Sequence, residues 1–124
     1  MPKALKIIVA LPAVLFLMIG LRILIDPEGG LAELGLSLAE GLGRSTQIGD
    51  LGAFFITGAI LILMGVFTGR REWLQAPAML LGLTGVFRLW AWIGHDAALA
   101  VAQIVVEFVV MGLLLFAASK IKAE

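Results

Sequence analysis

Apolar positions along the chain fall into four long runs separated by short polar segments. The runs cover about residues 4–25, 51–68, 73–94 and 97–119. A helix needs roughly 20 apolar residues, with a range of about 17–25, to cross a hydrocarbon core about 30 Å thick. The pattern therefore predicts an all-α fold, a membrane four-helix bundle, with residues 1–124 forming a single transmembrane domain.

The segment between the first two runs is the longest loop, and its periodicity predicts a short amphipathic helix. Leucines recur on one helical face from Leu31 to Leu42, with Glu33, Ser37 and Glu40 on the opposite face. Because this polar face is acidic, attraction to anionic lipid would not hold the helix on a membrane surface. We expect it to lie across the external end of the bundle as a lid.

Basic residues are concentrated on one side of the predicted spans. Six lysines and arginines share that side: Lys3, Lys6, Arg70, Arg71, Lys120 and Lys122. The other side carries two arginines among six carboxylates, and cytoplasmic loops are enriched in Lys and Arg. Trp73, Trp90 and Trp92 fall near the span ends, as an aromatic belt would place them. We expect a multi-pass membrane protein with both termini cytoplasmic.

The composition narrows the classes of function. Apolar residues make up 61% of the chain, against roughly 45–50% in soluble domains, and the mean hydropathy is +1.09. Nine basic and nine acidic residues balance, so bulk charge does not indicate a nucleic-acid partner. The absence of cysteine and the single histidine exclude disulfides, thiolate sites and multi-histidine metal sites. We expect no metal and no cofactor, and the lipid bilayer as the main partner.

Two ionisable residues fall inside the predicted spans, where charges are rare and energetically costly. Arg88 lies late in the third run and Glu107 lies within the fourth. A tight turn around His95 makes these two helices antiparallel neighbours. Gln103 is predicted at the depth of Arg88, and Glu107 about one helical turn deeper, within reach of an arginine side chain.

Helical spacing brings further polar residues onto the same faces. Thr84, Arg88, Trp92 and His95 share a face of the third helix, and Asp96, Ala100, Gln103 and Glu107 share one of the fourth. The predicted ligand-binding or structural polar cluster, in the outer half of the bundle, consists of Arg88, Glu107, Gln103, Asp50, Arg44, Trp92 and His95, with Arg22 and Asp96 near its mouth. Asp50, at the predicted start of the second span, is also a candidate helix cap.

This cluster is compatible with three interpretations. Arg88 and Glu107 could form a structural ion pair that sets the packing of two helices. They could instead provide the polar groups of a ligand pocket. Intramembrane carboxylates also mark proton or ion paths. Gly65 and Gly69 form a G-x-x-x-G pair, which is compatible with a homo-oligomer seam but favours close packing within the bundle.

Three segments carry a resemblance to a known family. They are GRSTQIGDLGAFF from Gly43 to Phe55, FRLWAW from Phe87 to Trp92, and VVEFVV around Glu107. The chain resembles, over nearly its whole length, an uncharacterised bacterial family of small four-helix integral membrane proteins known only as a domain of unknown function. The resemblance implies a compact four-helix membrane bundle in a bacterial inner membrane, and implies no activity.

The favoured hypothesis is a non-enzymatic binder of a small amphipathic ligand or of a helix from a membrane protein partner. One alternative is a membrane enzyme that acts on a lipid-like substrate with Glu107 as acid or base. Another is a proton- or ion-conducting element of a larger assembly. A transporter formed by one chain is disfavoured, because the sequence has no inverted repeat. No residue is otherwise assigned a catalytic role.

Overall fold

A computed structural model describes residues 1–122, and all of their regular structure is helical. The elements are α1 (Lys3–Ile25), α2 (Pro27–Glu33), α3 (Gly41–Thr46), a π-helical turn (Gln47–Leu51), α4 (Gly52–Thr68), α5 (Glu72–Gly94) and α6 (Val101–Ser119). The α3 helix, the π turn and α4 run on as one helix, Gly41–Thr68. Four helices are therefore long and apolar enough to cross a membrane, which confirms the predicted bundle.

The spanning helices pack in the cyclic order α1, α4, α5, α6. Only 22–28% of the most apolar window of each span is buried inside the bundle. The remaining apolar side chains face outward and form a far larger surface than a soluble monomer exposes. Such a surface is stable in hydrocarbon and not in water, so the four helices indicate a multi-pass membrane protein.

The hydrophobic core occupies the half of the bundle nearest the chain termini, which we call the termini end. Met1, Lys6, Gly69 and Lys122 border one cleft there, so both termini lie on the same side of the bundle. Eight fully buried side chains contributed by all four spans fill this half: Val9, Ala13, Ala59, Ile62, Leu74, Ala78, Leu114 and Ala117. At the opposite end, which we call the loop end, the helices separate.

The fourth span begins later than predicted. Helix α6 starts at Val101, and the preceding segment is irregular. Asp96 has a left-handed backbone with φ of 55°, and the Ala97 amide donates to the Ala91 carbonyl at 3.1 Å. This turn closes α5 and delays the next helix. The prediction that Asp96 and Ala100 lie on the fourth helix is therefore wrong.

The loop between the first two spans contains a short helix, but its predicted bounds, Leu31 to Leu42, are wrong. Helix α2 covers Pro27–Glu33 instead. Proline is favoured in the first helical turn, and the Asp26 carboxylate accepts from the Gly29 amide at 3.2 Å. The helix buries Leu31 and exposes its glutamates, so it is amphipathic.

Glycines explain why helix α2 does not continue through the leucine stripe. Gly35, just after α2, has a positive φ angle of 79°, and Gly41, the first residue of α3, has one of 55°; a right-handed helix cannot continue through such backbone angles. The chain between them, residues 36–40, has no regular structure, and we call it the strap. Arg22 of α1 forms an ion pair with Glu33, which holds the end of α2 against the first span.

The second spanning helix extends well beyond its predicted start at Leu51. It begins at Gly41, so Asp50 lies inside the π turn with helical residues on both sides. A side chain there cannot cap the start of a helix, and the capping role predicted for Asp50 is wrong. The uncharged run that begins at Leu51 covers only the apolar part of this helix, and the first turns of the helix are polar and exposed.

Gly65 and Gly69 serve packing and chain reversal within the bundle. A Cβ at Gly65 would lie 2.5 Å from Cδ2 of the fully buried Leu74, so the missing side chain lets α4 approach α5 closely. Gly69 ends α4 with a φ of 68°, and its amide donates to the Gly65 carbonyl at 3.1 Å. The predicted close packing within the bundle is confirmed for Gly65.

Candidate functional site

Arg88 and Glu107 face each other between α5 and α6. Arg88 Nε donates to both Glu107 oxygens at 2.9 Å. The Glu107 side chain is 11% exposed and the Arg88 side chain 39% exposed. The predicted pair is therefore present, and the carboxylate is the more deeply buried partner.

The two charges lie level with each other rather than one turn apart. Arg88 is about six residues from the loop end of α5, and Glu107 about six from the loop end of α6, or roughly 9 Å along each axis. The prediction placed Glu107 deeper because it started the fourth helix at residue 97. The later start at Val101 brings the carboxylate directly opposite the guanidinium.

Small residues allow α5 and α6 to approach each other next to this pair. A Cβ at Gly85, one turn from Arg88, would lie 2.8 Å from Cζ of Phe108. A Cβ at Gly82 would lie 2.7 Å from the sulfur of Met111. Membrane helices commonly pack through such small residues. Their close approach keeps the Arg88–Glu107 contact direct.

The pair uses only one of the three guanidinium nitrogens. Nε carries one N–H, and the two amino groups, Nη1 and Nη2, carry four more. Among residues 1–122, neither amino group of Arg88 has an acceptor within hydrogen-bond distance, neither is fully buried, and the residue lines the cavity described below. The side-chain amide of Gln103 likewise has no hydrogen-bond partner in this part of the chain. The site therefore presents several donors beyond the ion pair.

A cavity of about 480 Å³ lies among the four spans in the loop-end half, where the helices separate. Its α1 and α4 wall is apolar and consists of Leu15, Phe16, Ile19, Leu51, Phe54 and Phe55. Its α5 and α6 wall carries Thr84, Arg88, Gln103 and Glu107 together with Leu81, Ala102, Val106 and Val110. The cavity is thus amphipathic, with its polar groups on one side.

Aromatic rings stiffen the apolar wall. Phe55 packs edge to face against Phe16 at 5.5 Å and against Phe54 at 5.0 Å between ring centroids. Such contacts are worth about 0.5–1.5 kcal/mol beyond burial of the rings. The wall opposite Arg88 is therefore fixed in shape as well as apolar.

The strap covers the loop end of this cavity. Gln47 holds it in two places: its Oε1 accepts from the Ala39 amide at 2.8 Å, and its Nε2 donates to the Ser37 carbonyl at 3.1 Å. Arg44 Nε donates to the Ala39 carbonyl at 2.9 Å. Leu36 of the strap and Leu34, just before it, line the cavity.

These contacts assign structural roles to two residues of the segment from Gly43 to Gln47. Arg44, predicted to join the polar cluster, instead anchors the strap. Gln47 does the same, and sequence reasoning overlooked it. One feature of the sequence could have identified Gln47: it lies in a polar segment directly before an uncharged span. A glutamine amide there can both donate to and accept from backbone groups of a neighbouring loop.

Three other residues of the predicted cluster lie away from the cavity. Asp50 is exposed in the π turn. Trp92 is largely exposed, and His95 packs edge to face against Trp90 at 5.6 Å between ring centroids. The structure thus brings together Arg88, Gln103 and Glu107, and leaves the rest at the periphery.

Comparison with protein-family models, with curated proteins and with solved structures finds no match to this chain. The family resemblance drawn from its sequence therefore stays a prediction. Among residues 1–122, no three His, Cys, Asp or Glu side chains lie together in a way that could hold a metal ion. What the protein does has to be inferred from the cavity and its side chains.

Proposed function

We propose that this chain is a non-enzymatic integral membrane protein that binds a small amphipathic ligand in the cavity between its spans. The observation that supports this most directly is the division of the cavity into an apolar wall and a wall carrying Arg88, Gln103 and Glu107. Small-molecule sites are typically clefts of about 300–1,000 Å³ with mostly apolar walls and a few convergent polar groups. The cavity matches this description in size and in composition.

The size of the cavity favours a small molecule over a partner helix. A helix with its side chains is about 10 Å across and needs a groove along several turns. This cavity is covered by the strap at the loop end and closed towards the termini end by the buried Phe16 and Leu81. A short, flexible ligand fits such a compartment better than a helix does.

The geometry of Glu107 favours binding over the alternatives. Both of its oxygens accept from Arg88, so the carboxylate is already engaged as an ion-pair partner rather than free to exchange protons with a substrate. It is also the only acidic side chain that lines the cavity within residues 1–122. Between the pair and the termini end, the buried core described within residues 1–122 is a packed cluster of apolar side chains, which offers no chain of polar groups to carry a proton.

The distribution of basic residues supports a cytoplasmic location for both termini, and the resemblance of the sequence to a bacterial family supports a bacterial inner membrane. Reporter fusions near Arg70 and at the C-terminus are expected to read cytoplasmic, and a fusion near Glu40 to read external. Paired cytoplasmic and periplasmic reporters at the same sites provide the control. A cytoplasmic signal near Glu40 would contradict this orientation.

Filling the cavity should prevent binding. Val106 lines the cavity, whereas Val109, on the same helix, is exposed and does not. We expect Val106→Trp to lower ligand occupancy by about tenfold or more, because the indole takes up space between the walls. Native mass spectrometry of the protein from a mild detergent measures this occupancy as bound mass.

Val109→Trp is the matched control, because it adds the same side chain to the lipid-facing surface. Its occupancy should equal that of the unmodified protein. Equal ligand loss in both variants, or no effect of Val106→Trp on a protein that does carry ligand, would argue against binding in this cavity.

A further inference from the structure

We infer that the ligand carries an uncharged head group with hydrogen-bond acceptors, such as the carbonyl of an ester, amide or ketone, on an alkyl or isoprenoid-like tail. This inference rests on the proposed function, since it assigns a ligand class to the same cavity. It follows from the inventory of donors, from the charge balance of the site and from the route by which the cavity opens.

Hydrogen-bond donors dominate the polar wall. The two Arg88 amino groups carry four N–H and the Gln103 amide two, all without a partner among residues 1–122. Fewer acceptors are open: the Gln103 amide oxygen and the remaining lone pairs of the Glu107 oxygens, which both already accept from Arg88. These donors have no protein acceptor, and a ligand acceptor would satisfy them in place of water that enters the cavity. The wall is therefore complementary to an acceptor rather than to a donor such as an ammonium group.

The charge balance distinguishes a neutral acceptor from an anion. Arg88 and Glu107 compensate each other, and no other basic side chain within residues 1–122 lines the cavity. An anionic head group would leave a net negative charge next to the buried Glu107 carboxylate, in surroundings where charges are weakly screened. A neutral carbonyl accepts the same hydrogen bonds without this repulsion.

The opening of the cavity indicates where such a ligand comes from. Leu15 of α1 and Val106 of α6 both line it, yet they remain 47% and 49% exposed. These two helices contact each other little, whereas the other neighbouring pairs are closely packed. Because the strap covers the loop end, the gap between α1 and α6 leads sideways into the bilayer. A ligand that reaches the site this way partitions into hydrocarbon, as neutral amphipaths do.

Three probes with matched tails test the inference: decyl methyl sulfone, decanesulfonate and undecane. The sulfone and the sulfonate both offer S=O acceptors, but only the sulfonate is charged, and undecane has no acceptor. Dissociation constants are measured with the full chain in phosphatidylcholine nanodiscs. We expect the sulfone to bind about tenfold or more tightly than either of the other two, a difference set by head-group hydrogen bonds and charge.

Neutralising Glu107 should reverse the charge preference. Glu107→Gln retains an oxygen that can accept from Arg88 Nε, but leaves the guanidinium uncompensated. The variant should therefore bind decanesulfonate about tenfold or more tightly than the sulfone. Glu72→Gln is the control, because Glu72 is exposed at the termini end, where it pairs with Arg70. It should leave the order of affinities unchanged.

The outcomes separate the two proposals. If no probe binds, or if Val106→Trp leaves probe binding unchanged, the proposed function itself fails. If the probes bind and Val106→Trp blocks them, but decanesulfonate or undecane equals or exceeds the sulfone, the cavity binds ligands and the inferred head group is wrong. If Glu107→Gln does not fold, the order of affinities in the unmodified protein decides alone.

Discussion

Replacing Arg88 with leucine is expected to lower the free energy of unfolding by about 3 kcal/mol, because it leaves a buried carboxylate without its partner. The Glu107 side chain is only 11% exposed, and both of its oxygens accept from Arg88. No other basic side chain among residues 1–122 lines the cavity and could replace the arginine. Unfolding in a detergent mixture of increasing denaturing strength measures the change.

The reverse substitution, Glu107→Leu, should cost less, about 1–2 kcal/mol, because the arginine that it leaves without a partner is less buried than the glutamate. The Arg88 side chain is 39% exposed and borders the cavity, where its guanidinium can be hydrated. The double variant should recover part of the loss, because two leucines suit the apolar surroundings. We therefore expect a coupling free energy of about 1–3 kcal/mol in the double-mutant cycle.

Asp50→Leu controls for the removal of a charge, because Asp50 is exposed and forms no part of the pair. It should change stability little. Additive losses for the two pair variants would show that Arg88 and Glu107 do not stabilise each other. A larger loss for Glu107→Leu than for Arg88→Leu would contradict the asymmetry in burial.

The fold was predictable because a bilayer restricts the solutions available to an apolar chain. Every backbone polar group inside hydrocarbon must be satisfied within its own segment, which leaves helices wherever about 20 apolar residues follow one another. This constraint located the spans, although it could not locate the polar ends of the helices. The first turns of Gly41–Thr68 are polar, and four residues before Val101 are apolar but irregular.

The loop between the first two spans shows where helical periodicity fails as a predictor. Its leucines follow helical spacing, but Gly35 and Gly41 adopt left-handed backbone conformations that end or precede a helix. Whether a glycine breaks a helix depends on tertiary contacts that periodicity does not describe. Here Gln47 satisfies backbone groups of the strap and stabilises the non-helical path.

Only one part of the candidate site was predictable, the ion pair, whose charges are the most unfavourable to leave unpaired inside a membrane. An arginine and a glutamate within apolar spans must find partners, so the pairing of Arg88 with Glu107 followed from energetics alone. The positions of Asp50, Trp92 and His95 could not be predicted in this way. These residues lie near the span ends, where water or head groups can satisfy their polar groups. No comparable penalty forces those side chains into the cavity, and the structure leaves them outside it.

Gly65→Val is expected to destabilise the bundle by about 1–3 kcal/mol or more, because it overfills a closely packed helix contact. Even a Cβ at this position would lie 2.5 Å from Leu74 Cδ2 and 3.4 Å from the Leu74 backbone nitrogen. Leu74 is fully buried and cannot move aside without disturbing the core of the termini end. The substitution therefore forces α4 away from α5.

Gly112→Val provides the matched comparison, since a Cβ at Gly112 of α6 meets nothing within 4 Å. The same side chain is added to a spanning helix in both variants, so helix propensity and added apolar surface are similar. We expect Gly112→Val to unfold close to the unmodified protein, and both variants to keep its oligomeric state. Were Gly65→Val instead to change the oligomeric state while leaving the monomer's stability intact, Gly65 would belong to a seam between copies rather than to the α4–α5 contact.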